Sequence, residues 1–204
     1  MTRTSWPAAL TALAASALVL LAAAFQQTAG ALPFVWRVAE LALAGGAAYL
    51  IDDAAAQLTT VAPKGPWRRR APALGAGAAL VAGGWLTILA ILQWRGARPP
   101  LAESSAELVV MCLVAVSAAV LLFRLGDPEP GAIVAPVVVV LGLGLTIVAS
   151  VVGSPLYLTD ADPAPGRVAG WTAAGAVAVL VIVVAGRDGA GEPKRVMRAA
   201  AGRV

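Results

Sequence analysis

The chain has 204 residues, 60% of them hydrophobic and 13% charged, with a formal charge of +4 and a mean hydropathy of +0.84. Soluble domains run at about 45–50% apolar and about 25% charged, so a water-soluble fold is excluded and the bilayer supplies the apolar surroundings. Histidine is absent, which removes His-ligated haem, HExxH zinc sites and nucleophiles activated by an imidazole.

An apolar helix needs about 17–25 residues to cross the hydrocarbon core. In chain order the runs that meet this length are residues 7–25, 32–51, 73–94, 108–123, 133–152 and 168–185, the fourth being short enough to begin near Ser105. The expected fold is therefore an all-α polytopic membrane protein of six transmembrane helices, occupying residues 1–186 and followed by a basic tail at 187–204. Gln26 to Gly30, Pro63 to Pro66, Arg98 to Pro100, Asp127 to Gly131 and Asp160 to Pro163 carry the helix-breaking residues a connection requires. Trp6, Trp36, Trp67, Trp94 and Trp171 stand near span ends, where an amphipathic ring prefers the headgroup level, and Trp85 alone falls in mid-span. Cys112, the single cysteine, lies within an apolar run and reads as a small packed residue.

The cations set the expected orientation. With the N-terminus inside, eleven of the fifteen lysines and arginines lie on the cytoplasmic side, including Lys64, Arg68, Arg69, Arg70 and Arg124; Arg37, Arg95, Arg98 and Arg167 lie opposite. This bias predicts both termini in the cytoplasm. Cations gathered between apolar runs report topology, and no nucleic-acid partner is expected. Arg3, the first apolar run and Ala22 to Ala24 also match the outline of a cleavable signal peptide, which would leave the other five spans oriented in the same way.

The connection between the second and third spans, residues 52–70, holds more than hydrophobicity. Asp52 or Asp53 can cap a short helix, Ala54 to Ala56 favour its propagation, Leu58 and Val61 share one face, and Pro63, Gly65 and Pro66 stop it. Trp67, Arg68, Arg69 and Arg70 then form an inner-leaflet anchor, where anionic lipids attract each cation by about 1 kcal/mol. In its six-span layout, and in the order Asp52-Asp53, Ala54 to Ala56, Leu58 and Pro63, the chain resembles the permease subunits of ABC-2 type transporters. That resemblance implies that the loop is a coupling helix docking into separate ABC ATPase subunits, with Asp52, Asp53, Leu58, Val61 and Pro63 as the contact. It also implies a second permease copy or paralogue. The chain departs from the family in lacking the acidic-Arg-Glu and Gly-Thr elements of the loop, and residues 153–167 hold an outer gate only in reduced form.

Arg37 and Glu40, three apart on one helix face, form a candidate intramembrane polar pair. The simplest expectation places them at the outer boundary beside Trp36, reaching toward the headgroups. Glu103 and Glu107 are expected at an exposed start of the fourth span, and Asp160 and Asp162 in an outer turn. Asp52 and Asp53 invite comparison with metal-dependent lipid phosphotransferases, but the DGxxAR…GxxxD pattern of those enzymes is absent, so no metal site is expected. Both lysines follow proline, so no P-loop is present.

The functional expectation is a non-enzymatic permease of the bacterial cell membrane that needs no cofactor of its own. It exports a lipophilic or drug-like cargo on ATP hydrolysed by a partner subunit. The alternatives are a membrane assembly or accessory protein and an ion-coupled carrier.

Overall fold

The computed structural model describes residues 32–52, 66–94, 96, 100–127, 129–153, 156 and 165–187. Among them the chain is entirely helical: α1 spans Leu32–Ala48 and runs into a 3-10 turn at Tyr49–Ile51, followed by α2 (Pro66–Trp94), α3 (Leu101–Arg124), α4 (Gly131–Val152) and α5 (Pro165–Arg187). These five helices correspond to the second to sixth apolar runs. The first run lies outside the described residues.

Four segments are long and apolar enough to cross a membrane: Leu74–Trp94, Leu101–Arg124, Gly131–Val152 and Pro165–Ala185. The chain is thus a multi-pass membrane protein by length and composition. α1 is shorter, 17 residues, or about 26 Å at the usual rise per residue.

Helix ends follow from local chemistry. Pro66 takes the first position of α2, where its missing N–H is no loss. α3 begins after Pro100, whose carbonyl accepts from the Ser104 hydroxyl at 2.8 Å. It closes at Gly126, whose φ of 102° suits a residue without Cβ. The Gly126 N–H donates to the Phe123 carbonyl and that of Asp127 to Leu122. α4 ends in the same way at Gly153, φ 68°, with its N–H on Ala149.

α1 is the central helix. It packs against α2, α3 and α4, while α5 lies mainly on α3. Its small and apolar side chains are accordingly buried, among them Ala39, Leu43, Ala44 and Ala48. Two apolar clusters hold the bundle. One joins Ala39 and Leu43 of α1 to Trp85, Ile88 and Leu92 of α2 and Leu108 of α3. The other joins Ala48 and Ile51 to Ala115 and Ala119 of α3, Val134 of α4 and Ala185 of α5. α4 and α5 turn valines and leucines outward, including Val140, Val151 and Leu180, as lipid-facing surfaces do.

Close approach is made possible by glycine. A Cβ at Gly131 would stand 2.7 Å from the Tyr49 Cα and 2.8 Å from an Asp52 carboxylate oxygen, and one at Gly45 would stand 3.2 Å from the Ala135 carbonyl. The first of these neighbours is backbone and cannot swing aside. Gly131→Ala should therefore destabilise the bundle by about 1–3 kcal/mol, the usual range for overpacking. Gly144→Ala, with nothing within 4 Å, should stay within about 0.5 kcal/mol of the parent. Thermal unfolding of both variants in detergent micelles checks this, and equal stability of the two would refute the packing argument.

Candidate functional site

The helical period of α3 puts Ser104, Glu107, Leu108 and Ala115 on one face, and all four are buried. The period of α1 does the same for Arg37, Glu40 and Ala44. Where the two faces meet, opposite charges converge. Arg37 Nη1 donates to Glu40 Oε2 at 2.7 Å, and the same nitrogen pairs with Glu107 Oε2 on α3. Glu40 and Glu107 are 0% exposed and Arg37 6%. Isolated buried charges of this kind are expensive, and each is tolerated because it is paired and hydrogen-bonded.

Aromatic groups complete the surroundings. Trp36 Nε1 donates to Glu40 Oε1 at 2.8 Å, so the two Glu40 oxygens face different donors. The Arg37 guanidinium lies 5.1 Å from the centre of the Trp36 ring, within cation–π range. Trp85 of α2 stands with its ring centre 6.5 Å from that of Trp36, and its indole N–H reaches Ser105 Oγ of α3 at 3.1 Å. Three helices are thereby tied at one end of the bundle through polar contacts in an apolar setting.

This arrangement corrects two expectations. Arg37 and Glu40 do not reach out to a headgroup layer; they point into the bundle and form the centre of a three-residue cluster. Glu107 is not at an exposed helix start. α3 begins at Leu101, so Glu107 lies nearly two turns inside it, on the face that meets α1. The 70-residue separation between Arg37 and Glu107 left no local pattern linking them. Ser104 and Glu107, three apart and followed by the apolar stripe of Leu108 and Ala115, were the available signal. Glu103, in the first turn of α3, is half-buried.

At the opposite end of the bundle, Asp52 follows the 3-10 turn. Its Oδ1 accepts the Gly131 N–H, the first of α4, at 2.7 Å. An acidic group there satisfies an otherwise unpaired donor and complements the positive helix end. Asp52 thus caps a helix distant in sequence. Asp53, Leu58, Val61 and Pro63 lie outside the described residues. The backbone of Trp67, Arg68, Arg69 and Arg70 forms the opening turn of α2, since the helix starts at Pro66, ahead of the expected residue 73.

Among the described residues no group of three His, Cys, Asp or Glu converges to hold a metal ion. Protein-family models, curated proteins and solved structures yield no match to the chain.

Removing the Arg37 guanidinium by Arg37→Ala leaves two buried carboxylates facing each other and should cost about 3–5 kcal/mol. The triple replacement of Arg37 by Met and of Glu40 and Glu107 by Leu should cost less than the single change, because the carboxylates that Arg37 holds are removed together with it. Trp85→Phe loses one hydrogen bond, worth about 1 kcal/mol. Unfolding by sodium dodecyl sulfate in mixed micelles ranks the three; a triple variant no more stable than Arg37→Ala would contradict the mutual compensation.

Proposed function

We propose that the chain is the permease subunit of an ATP-driven exporter of the ABC-2 type, with both termini in the cytoplasm and six spans. The ATPase resides in separate subunits. The observation that carries this reading is the bond between Asp52 and Gly131. Asp52 is where the 52–70 connection leaves α1, so force applied to the connection by a docked partner reaches α1 and α4 together. The two helices are further coupled by close packing of Gly45 on Ala135 and of Leu41 on Gly142. A push on the loop therefore moves a helix pair and tilts it against the remaining bundle, the kind of rigid-element motion that alternates access in transporters. The cargo faces a pathway poor in polar groups and is accordingly lipophilic or drug-like, and a second permease copy or paralogue closes the other half. The site of action is the bacterial cell membrane.

Purification of the tagged chain from its native membrane in mild detergent tests this. A P-loop ATPase should accompany it, and replacing Asp52 and Asp53 by Asn and Leu58 by Ala should reduce its recovery at least about tenfold, a loss of ~1.4 kcal/mol in binding. An intact chain without an ATPase, or an unchanged yield from the loop variant, would exclude the proposal.

A second reading, an ion-coupled carrier, draws on the buried Arg37–Glu40–Glu107 cluster, since ionisable residues inside a membrane commonly mark ion pathways. It requires transport driven by an ion gradient in proteoliposomes free of ATP, and loss of that transport when Arg37 and Glu40 are both neutralised.

A further inference from the structure

We propose that the Arg37–Glu40–Glu107 cluster is the binding site for a lipophilic cation, a delocalised or quaternary positive charge bearing apolar groups, which displaces the Arg37 guanidinium from Glu107. That this cation is the cargo rests on the transport reading above; that the cluster binds it rests on groups within this chain alone.

Three helices supply what such a cation requires. α1 and α3 bring the carboxylates of Glu40 and Glu107, both 0% exposed, to one nitrogen of the guanidinium. α1 also lays the Trp36 ring against it, with the guanidinium 5.1 Å from the ring centre, and α2 sets the Trp85 ring 6.5 Å from that of Trp36. Carboxylates on one side and an indole face on another are the groups by which proteins hold organic cations out of water. The chain has built such a site and keeps its own cation in it, on a tether.

That tether can be withdrawn. The bond from Arg37 to Glu40 is made within one helix, three residues along, whereas the bond to Glu107 joins two helices. A rotamer change that takes the guanidinium away from Glu107 can leave the Glu40 pair in place. An incoming cation then exchanges one charge for another, and neither buried carboxylate is stranded without an opposite charge. Of the three side chains only that of Arg37 keeps any exposed surface, at 7%, which marks the side from which exchange begins.

The surroundings choose among cations. Trp36 and Trp85 pack in the apolar cluster of Leu43, Ile88, Leu92 and Leu108, so the carboxylates border an aliphatic layer. A small, strongly hydrated ion is costly to strip of water in such a place. A phosphonium or quaternary ammonium ion has little hydration to lose and gains contact with the rings and the aliphatic layer. Occupancy is also linked to helix contact: a cation seated on Glu107 frees Arg37 from α3, and binding shifts the bundle toward arrangements in which α1 and α3 separate.

Tetraphenylphosphonium is the probe. The full chain in phosphatidylcholine nanodiscs, without any ATPase, should bind it saturably above the uptake of empty discs, with quenching of tryptophan fluorescence. The neutral triphenylphosphine oxide should bind at least about tenfold more weakly. Arg37→Lys keeps the resident charge but loses the planar fork that grips carboxylates, so the competitor is weakened and affinity for the probe should rise about threefold or more. Damage to the fold does not produce such a gain. Glu107→Gln should lower affinity at least about tenfold, and Glu103→Gln, one turn earlier on α3, should leave it unchanged. Size-exclusion profiles show which variants are folded; should neither Arg37→Lys nor Glu107→Gln fold, the comparison of phosphonium with oxide on wild type decides. Absence of saturable binding to wild type, equal binding of the oxide, an affinity that does not rise in folded Arg37→Lys, or one unchanged in folded Glu107→Gln would each overturn the proposal. Failure here leaves the ATPase partnership standing, and a chain purified without an ATPase leaves this site standing, so the two readings are judged separately.

Discussion

A guanidinium inside an apolar bundle is stable only where carboxylates meet it, and Arg37 meets two, from α1 itself and from α3. That requirement fixes more than one contact. It sets the rotation of α1, because Arg37 and Glu40 must share the inward face, and it sets the height of α3, because Glu107 must stand level with them. A slip of one residue in either helix would turn a charge toward lipid, at about 2.5–3.5 kcal/mol near the bilayer centre. Apolar side chains could not specify the register so sharply, since a bundle built largely of alanine, valine and leucine offers many packings of similar energy. The two apolar clusters supply attraction; the ions select one arrangement from those that attraction permits.

Membrane character was legible from composition and from run length, because both are properties of local sequence. Helices α2 to α5 cover the apolar runs read from the sequence, but they begin earlier, at Pro66, Leu101, Gly131 and Pro165, where a helix is already favoured and hydrophobicity is not yet high. The displaced start of α3 had the largest consequence: judged from Leu108, Glu107 belongs to an exposed end, whereas from Leu101 it belongs to a buried face. Arg37 and Glu40 were identifiable as a pair because they are three residues apart. Their third partner was not, because α1 and α3 meet through space and no periodicity within either reveals the other. Asp52 illustrates the same limit, since its bond to Gly131 spans 79 residues and no local pattern around either residue points to the other.

The two ends of α1 are held by charge-assisted hydrogen bonds and its middle by small residues. Gly45 lies against the Ala135 carbonyl and Leu41 against Gly142, contacts that depend on closeness and carry little directionality. Polar contacts at the ends have two discrete conditions, made and unmade. α1 is consequently a rod clamped at both ends and smooth between them, the construction expected of an element that moves as a unit when either clamp is altered.

The distance in sequence between Arg37 and Glu107 bears on biogenesis. At about 5–20 residues per second, the 70 residues separating them take roughly 4–14 s to synthesise. Throughout that interval α1 carries a charged pair with no partner from α3 and has little reason to enter lipid alone. The pairing of Arg37 across the bundle is thus completed only once the helix that carries Glu107 has been made.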